Sequence, residues 1–352
     1  MNSITISELV GSSQHDAIAD DSLKDEDNAA WVMELEPCIR DEWIERISWI
    51  RLIDRLAENE LVDSSSAEFR KFYAGWKWLL LWGQVEPGCA YTDVLNCICT
   101  RWFSRVSNPV DRFSIWSWNR YLKAIERYHG HNLVIDTLDQ YEVMLKDLGG
   151  AFFQVLPFLS QKYWQPACYF GALDQFFNNL RDMQEDAQRG ICYIPGAILA
   201  RFGVTRDEII QQTACQNPGY AKMMQFLLDH YLTRLQQKAY PLMMAEDLHP
   251  SWAILRDWSV HRYHRIERIF RDCNFDYTQF PQRYWSEVQQ DLPVLIVQLR
   301  QQQQQRAHRS VKRFLPRNAS TKPSLLGTIG RKVLKVAGMV FSRPVFSGQQ
   351  SS

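Results

Sequence analysis

The sequence predicts an all-α protein, and three observations support that prediction. Apolar side chains recur at helical spacing along most of the chain, and strand-like alternation is nearly absent. Glycine and proline lie between the helical segments, as at Pro87-Gly88 and Pro218-Gly219. The pattern is clearest between Asp41 and Asp63, where one face carries Ile44, Ile47, Ile50, Ile53 and Leu56.

The same pattern predicts ten helices, joined by short loops. The first is followed by a run of three serines, which is typical of a loop. No repeat of fixed period is visible. The predicted segments cover about 41–63, 68–83, 91–106, 111–127, 138–157, 162–189, 205–214, 218–238, 250–273 and 282–304.

Charge divides the 352 residues into three predicted regions, although the net charge is zero. Residues 1–35 form an acidic head with few large apolar groups, which predicts disorder. Residues 36–305 form the all-α domain. Residues 306–352 form a basic tail, since no Asp or Glu follows Asp291.

The tail predicts a membrane-surface segment. A basic amphipathic helix is expected at about 324–342, where Leu326, Ile329 and Val333 alternate with basic residues. A disordered tail, or a helix docked on the domain, remains the alternative. No run of 18 apolar residues occurs, and eight cysteines show no zinc-site spacing. We therefore expect a cytoplasmic protein, peripherally associated with an anionic membrane, and no nucleic-acid partner.

One stretch, from Gln175 to Pro195, separates into two faces when it is placed on a helix. The apolar face carries Phe176, Phe177, Leu180 and Met183, and the polar face carries Gln175, Asn178, Asp182, Asp186 and Arg189. Carboxylates four residues apart repel each other, and a divalent cation would reverse that effect. The alternative is a solvated face whose charges are balanced by Arg181 and Arg189.

A second polar pair lies on the first predicted helix. Asn59 and Asp63 are also four residues apart, and Arg55 lies one turn earlier. If the two helices face each other across a cavity, their oxygen atoms would hold Mg²⁺ ions that bridge a diphosphate. Such ions neutralise a leaving diphosphate while a carbocation forms in a dry, aromatic pocket.

The segment NNLRDMQEDAQRGICYIP resembles the second aspartate-rich motif of the squalene and phytoene synthases. The following Phe202-Gly203-Val204 is similar to a helix start in that family. NELVD lies where the family has its first motif, and HRYHRIERIFRDCNFD is similar to its late helix. The resemblance covers about residues 40–290, and it implies a class I isoprenoid synthase-like helical bundle around a central cavity.

The family condenses two prenyl diphosphates, farnesyl or geranylgeranyl, head to head with the help of Mg²⁺, in carotenoid or terpenoid biosynthesis. The resemblance therefore implies a transferase of this type, and the basic tail separately predicts that it lies at a membrane surface. It assigns catalysis and metal binding to Asn59, Asp63, Asp182 and Asp186. It assigns substrate binding to Arg55, Gln175, Asn178, Arg181, Tyr193 and Tyr263.

Three positions depart from the family pattern. Asn59 replaces the first aspartate of motif one, and Ile191 replaces an arginine of motif two. Phe153 stands where the family usually has a small glycine that lets two helices approach. These departures keep an alternative open, in which a catalytically impaired relative binds a prenyl lipid or a protein at the membrane.

Overall fold

The computed structural model describes residues 30–62, 67–104, 109–128 and 133–314. Within them, the side chains of 58–62, 109–110 and 304–314 are not described. The predicted head up to residue 29 lies outside this range. The predicted amphipathic helix at 324–342 also lies outside it.

The described residues form α-helices joined by short turns and contain no strand, which confirms the predicted fold class. Three short 3₁₀ helices also occur, at Ala30–Glu34, Gln161–Tyr163 and Ala214–Gln216. In chain order the α-helices are α1 (Pro37–Val62), α2 (Glu68–Trp82), α3 (Thr92–Ile98), α4 (Pro109–Tyr128), α5 (Leu138–Leu145), α6 (Ala151–Val155), α7 (Trp164–Arg181), α8 (Met183–Gln188), α9 (Gly196–Phe202), α10 (Arg206–Ile210), α11 (Tyr220–Phe226), α12 (Leu232–Met243), α13 (Pro250–Asp272) and α14 (Phe280–Phe314).

Three of the longer predicted helices contain a widened π-helical turn. These turns are Cys99–Phe103 after α3, Lys146–Gly150 between α5 and α6, and Leu227–Tyr231 between α11 and α12. Such a turn is a short insertion within a helix, so each of these predicted segments is still helical along its length.

The resemblance misplaced one helix boundary. Phe202-Gly203-Val204 is the end of α9, because Gly203 adopts a left-handed conformation (φ 66°) that closes the helix. The next helix starts at Arg206, where Thr205 accepts a hydrogen bond from the Glu208 amide in a capping box. The short helix α9 itself was not predicted.

Helix α7 lies at the centre of the folded unit. It packs against α5, α6, α8, α12, α13 and the π turn Lys146–Gly150. The core of the folded unit is rich in buried tryptophan. The side chains of Trp31, Trp43, Trp49, Trp76, Trp118 and Trp252 are less than 2% exposed.

Glycines let α7 approach the π turn at backbone distance. A Cβ atom on Gly149 would collide with the carbonyl oxygen of Gly171, and one on Gly171 would collide with that of Gly149. Phe153, one turn later, is 2% exposed and packs on Phe170, with ring centroids 5.5 Å apart. The close helix approach therefore occurs at Gly149 and Gly171, while Phe153 fills the core beside it.

The chain divides into two units, Met1–Arg300 and Gln301–Ser352. Packing in the first unit includes Trp31, whose ring centroid lies 4.9 Å from that of Trp43, ahead of the predicted domain start at residue 36. All eight cysteines are free thiols. Among the described helices, none is long and apolar enough to cross a membrane.

Candidate functional site

The polar stretch predicted from the sequence lies on α7 and α8, which meet at Asp182. Asp182 leaves helical geometry (φ −93°, ψ 6°), yet its amide still donates to the Asn178 carbonyl at 2.9 Å. Its own carbonyl accepts from the Asp186 amide at 2.9 Å. The single helix predicted over 162–189 is therefore two helices that continue past a short break.

Asp182 and Asp186 differ in their surroundings. The Arg181 guanidinium binds both carboxylate oxygens of Asp182, with Nε 2.8 Å from Oδ1 and Nη2 2.8 Å from Oδ2. Asp186 is half-buried, and burial raises the pKa of its carboxyl to about 8, helped by the negative charges of Asp182 and Glu185. The attraction of Arg189 and Arg181 opposes this shift without cancelling it.

A small cavity adjoins the Asp186 side chain. Its volume is about 20 Å³, which is room for one water molecule. Burial raises the pKa of Tyr193 and of Tyr141 in its wall, and the charge of Asp186 raises both further. Its walls are mostly apolar and are formed by Tyr141, Phe176, Asn179, Leu180, Met183, Ile191, Cys192, Tyr193, Ile194, Pro195, Ile209, Met224 and Leu227.

Gln175, one of the predicted substrate-binding residues, pairs within its own helix. Its Nε2 donates to Asn179 Oδ1 at 2.9 Å, and Asn179 Nδ2 donates to the Tyr141 hydroxyl at 3.1 Å. Gln175 is thereby linked to the wall of the cavity. Its substrate role stays a prediction.

Asn178, the next predicted residue, belongs to a different network. Its Nδ2 donates to Asp174 Oδ2 at 3.2 Å, and its Oδ1 accepts from Arg262 Nη1 at 3.0 Å. Arg262 also forms an ion pair with Asp174, and both residues are buried, at 0% and 2% exposed. A fully buried ion pair needs matched partners, and Asn178 is one of them.

Tyr263 completes this network from α13. Its hydroxyl donates to Asp174 Oδ1 at 2.7 Å, and its ring stacks on Phe177 with centroids 4.6 Å apart. Burial and the charge of Asp174 raise the pKa of Tyr263 well above its ordinary value. Tyr263 therefore joins α13 to α7 from within the core, and its predicted substrate role stays a prediction.

The first predicted motif is only partly described. Arg55 is half-buried on α1. Asn59 lies on α1, but its side chain is outside the description, and Asp63 lies outside the described residues. Whether 59 and 63 face the second motif stays a prediction.

The described side chains do not fit a magnesium ion on their own. No group of three or more His, Cys, Asp or Glu within them is arranged to hold a metal. The side-chain oxygen atoms of Asn178 and Asp182, which could bind a metal, already accept hydrogen bonds from Arg262 and Arg181. Within the second motif, the surroundings of Asp186 raise its pKa and so disfavour its negative charge. An added cation would offset that effect.

Sequence reasoning missed Asp174 and Arg262. Asp174 lies inside the run Phe170–Phe177, and a carboxylate among apolar neighbours requires a partner. The sequence therefore indicates that Asp174 needs a partner. It does not identify that partner, because Arg262 lies 88 residues further along the chain.

Comparisons with known proteins agree with this fold. Residues 142–289, which contain the second motif and the late helix, match the family model described as Squalene/phytoene synthase. A crystal structure of a dehydrosqualene synthase in complex with a ligand matches with a TM-score of 0.59 and 13% identity. The match covers 81% of this chain and 100% of that one. No curated protein sequence matches significantly.

Proposed function

We propose that this chain, whose residues 142–289 belong to the squalene/phytoene synthase family, is a prenyltransferase that condenses two prenyl diphosphates head to head with loss of diphosphate. Its fold is that of a prenyl synthase. Farnesyl and geranylgeranyl diphosphate are the substrates we expect. Isoprenoid biosynthesis is the corresponding process.

One observation carries the proposal. Asp182 and Asp186 come together at the end of α7, close enough for the charge of one to raise the pKa of the other. Asp186 adjoins a mostly apolar cavity. Carboxylates attract the cations that accompany a diphosphate, and the apolar residues beside Asp186 would have to move apart to admit a prenyl chain, because the cavity has room for one water molecule in this structure.

The proposal includes magnesium, for which the side chains at positions 59 and 63 would supply ligands. The second motif alone has too few ligand atoms for a metal ion, so the metal would need further ligands from α1 and the segment after it. When bound, the metal would neutralise the leaving diphosphate. The residues of α7 and α8 would orient the diphosphate and exclude water from the chain.

The proposal is tested with the purified full chain, Mg²⁺ and either farnesyl or geranylgeranyl diphosphate. We expect release of pyrophosphate and a lipid product of twice the substrate's chain length. EDTA should stop the reaction. The variant Asp182→Asn/Asp186→Asn should lose it while remaining folded. Absence of pyrophosphate release by the unmodified chain with both substrates would reject the transferase.

A second candidate function is favoured by the size of the cavity. About 20 Å³ is far below the roughly 300–1,000 Å³ of ordinary ligand sites. A catalytically impaired relative that binds a prenyl lipid or a protein would retain the fold without turnover. Binding of farnesyl diphosphate without pyrophosphate release would identify this candidate.

Membrane association belongs to the proposal as well, although the structure describes the tail only as far as Phe314. Residues 300–343 contain eleven Lys and Arg, and each could contribute about 1 kcal/mol against an anionic leaflet. We expect the full chain to co-sediment with anionic vesicles and a chain truncated at Arg317 to bind less. Equal binding by the two would show that the segment after Arg317 is not the anchor.

A further inference from the structure

Arg262 contacts the second acidic motif one helical turn before Asp182. Its guanidinium reaches across from α13 to α7 and donates to both Asp174 and Asn178. A guanidinium presents several donors in a rigid fork, so one arginine can hold two acceptors at once. Asn178 is thereby linked to the buried core of the molecule.

Only one orientation of the Asn178 amide satisfies these contacts. Its nitrogen donates to the Asp174 carboxylate and its oxygen accepts from Arg262. If the amide were rotated by half a turn, its NH₂ group would face a guanidinium and its oxygen would face a carboxylate. Both contacts would then be repulsive, because neither pair contains a donor and an acceptor. The ion pair therefore fixes which atom of Asn178 points to Arg262.

We propose that Arg262 is a positioning residue that commits the side-chain oxygen of Asn178 to a guanidinium and so removes it from the cation ligands of the second acidic motif. The inference rests on the proposed function, because it concerns the same motif. Asn178 then supports Arg262, and the carboxylates of Asp182 and Asp186 remain as the groups of α7 and α8 that attract a cation.

The consequence is measurable as a gain of cation affinity. Lysine at position 262 keeps a positive charge for Asp174 but lacks the forked donors that hold Asn178 as well. The amide oxygen of Asn178 becomes free to bind a hard cation. One more oxygen ligand is then available to the cation, and we expect Arg262→Lys to bind Mn²⁺ about tenfold more tightly, which corresponds to about 1.4 kcal/mol.

The experiment measures Mn²⁺ affinity by titration calorimetry in the full chain and in Arg262→Lys. Adding Asn178→Ala to Arg262→Lys should cancel the gain. The matched control is Arg268→Lys, on the exposed side of the same helix, which should leave the affinity unchanged. Melting temperatures report folding. The pair Asp174→Leu/Arg262→Met repeats the test without a buried charge, in case the lysine variant is unstable.

Each outcome decides a separate point. Mn²⁺ binding by the unmodified chain with no gain in either Arg262 variant overturns the role of Arg262 and leaves the proposed function standing. If the gain in Mn²⁺ affinity of Arg262→Lys persists when Asn178→Ala is added, the role of Arg262 is overturned as well. If only the Arg262 variants bind Mn²⁺, through Asn178, the role of Arg262 holds and the metal-dependent function fails. If no variant binds Mn²⁺, both are rejected.

Discussion

Two carboxylates on consecutive helices, Asp174 on α7 and Asp186 on α8, have opposite surroundings. Asp174 is 2% exposed and has three donors, from Asn178, Arg262 and Tyr263. Asp186 is half-buried, and burial with two nearby carboxylates raises its pKa to about 8. Asp174 is a satisfied part of the core, whereas Asp186 is a group whose charge the fold alone disfavours.

The difference teaches which acidic groups to assign to ligand binding. A buried carboxylate with a complete set of donors stabilises packing and gains nothing from an added cation. A carboxylate that is costly to ionise gains most from one. We therefore expect Asp186, with its neighbour Asp182, to take part in ligand binding, whereas Asp174 belongs to the core.

The largest effect is expected from Arg262→Met. This change leaves Asp174 charged and buried without its cation, which typically costs about 3–5 kcal/mol of unfolding free energy. Urea unfolding followed by circular dichroism measures it. Asp272→Asn is the control, since Asp272 pairs with Arg268 on the same helix but both side chains are more than half exposed. A loss no larger than that of the control would contradict the core role of the pair.

The sequence predicts most of the helices. It predicts neither the contact between Asp174 and Arg262 nor the raised pKa of Asp186. Helical spacing is a local property, so α1, α4 and α13 are readable from apolar positions alone. The break at Asp182 is not, because the side-chain pattern continues through one non-helical residue. The Arg262–Asp174 contact joins residues 88 apart, and a single sequence contains no signal that pairs them. The raised pKa of Asp186 depends on burial, which also needs the fold.

Asp186→Asn should have the next largest effect, and it should depend on pH. The carboxyl binds its proton up to about pH 8 in the folded chain and only up to about pH 4 when unfolded. The unfolded state therefore releases its proton first, and this group's contribution to stability falls as pH rises from about 4 to 8. Asparagine at position 186 has no carboxyl group, so it does not titrate in this pH range.

We therefore expect the variant to become more stable than the unmodified chain as pH rises through that window. Each pKa unit of the shift corresponds to about 1.4 kcal/mol, and a difference of at least that size should develop between pH 5 and 8. Unfolding free energies of both proteins at these two pH values, without divalent cations, measure it. A difference that is independent of pH would show that Asp186 titrates normally.

Removing both charges of the buried pair should have a smaller effect than removing one. In Asp174→Leu/Arg262→Met, apolar side chains of similar size replace the pair, and such exchanges are often neutral or stabilising. We expect unfolding free energy within about 2 kcal/mol of the unmodified chain, well above that of Arg262→Met alone. Additive losses from the two single changes would mean that Asp174 and Arg262 do not act as a pair.

The smallest effect on stability is expected from Asp182→Asn. Its side chain is 34% exposed, and its partner Arg181 is the adjacent residue, so the pair contributes about 0–1 kcal/mol. Thermal unfolding should be nearly unchanged. A large destabilisation would place Asp182 with Asp174 among the core groups.

The most direct test of the central claim is the affinity for a diphosphate that cannot react. Titration calorimetry with farnesyl thiodiphosphate and Mg²⁺ would compare the full chain with two double variants. The account predicts that Asp182→Asn/Asp186→Asn loses at least about tenfold in affinity, or about 1.4 kcal/mol. Asp174→Leu/Arg262→Met should still bind the ligand. Unchanged binding by the first variant together with loss in the second would contradict the assignment of the two carboxylate groups.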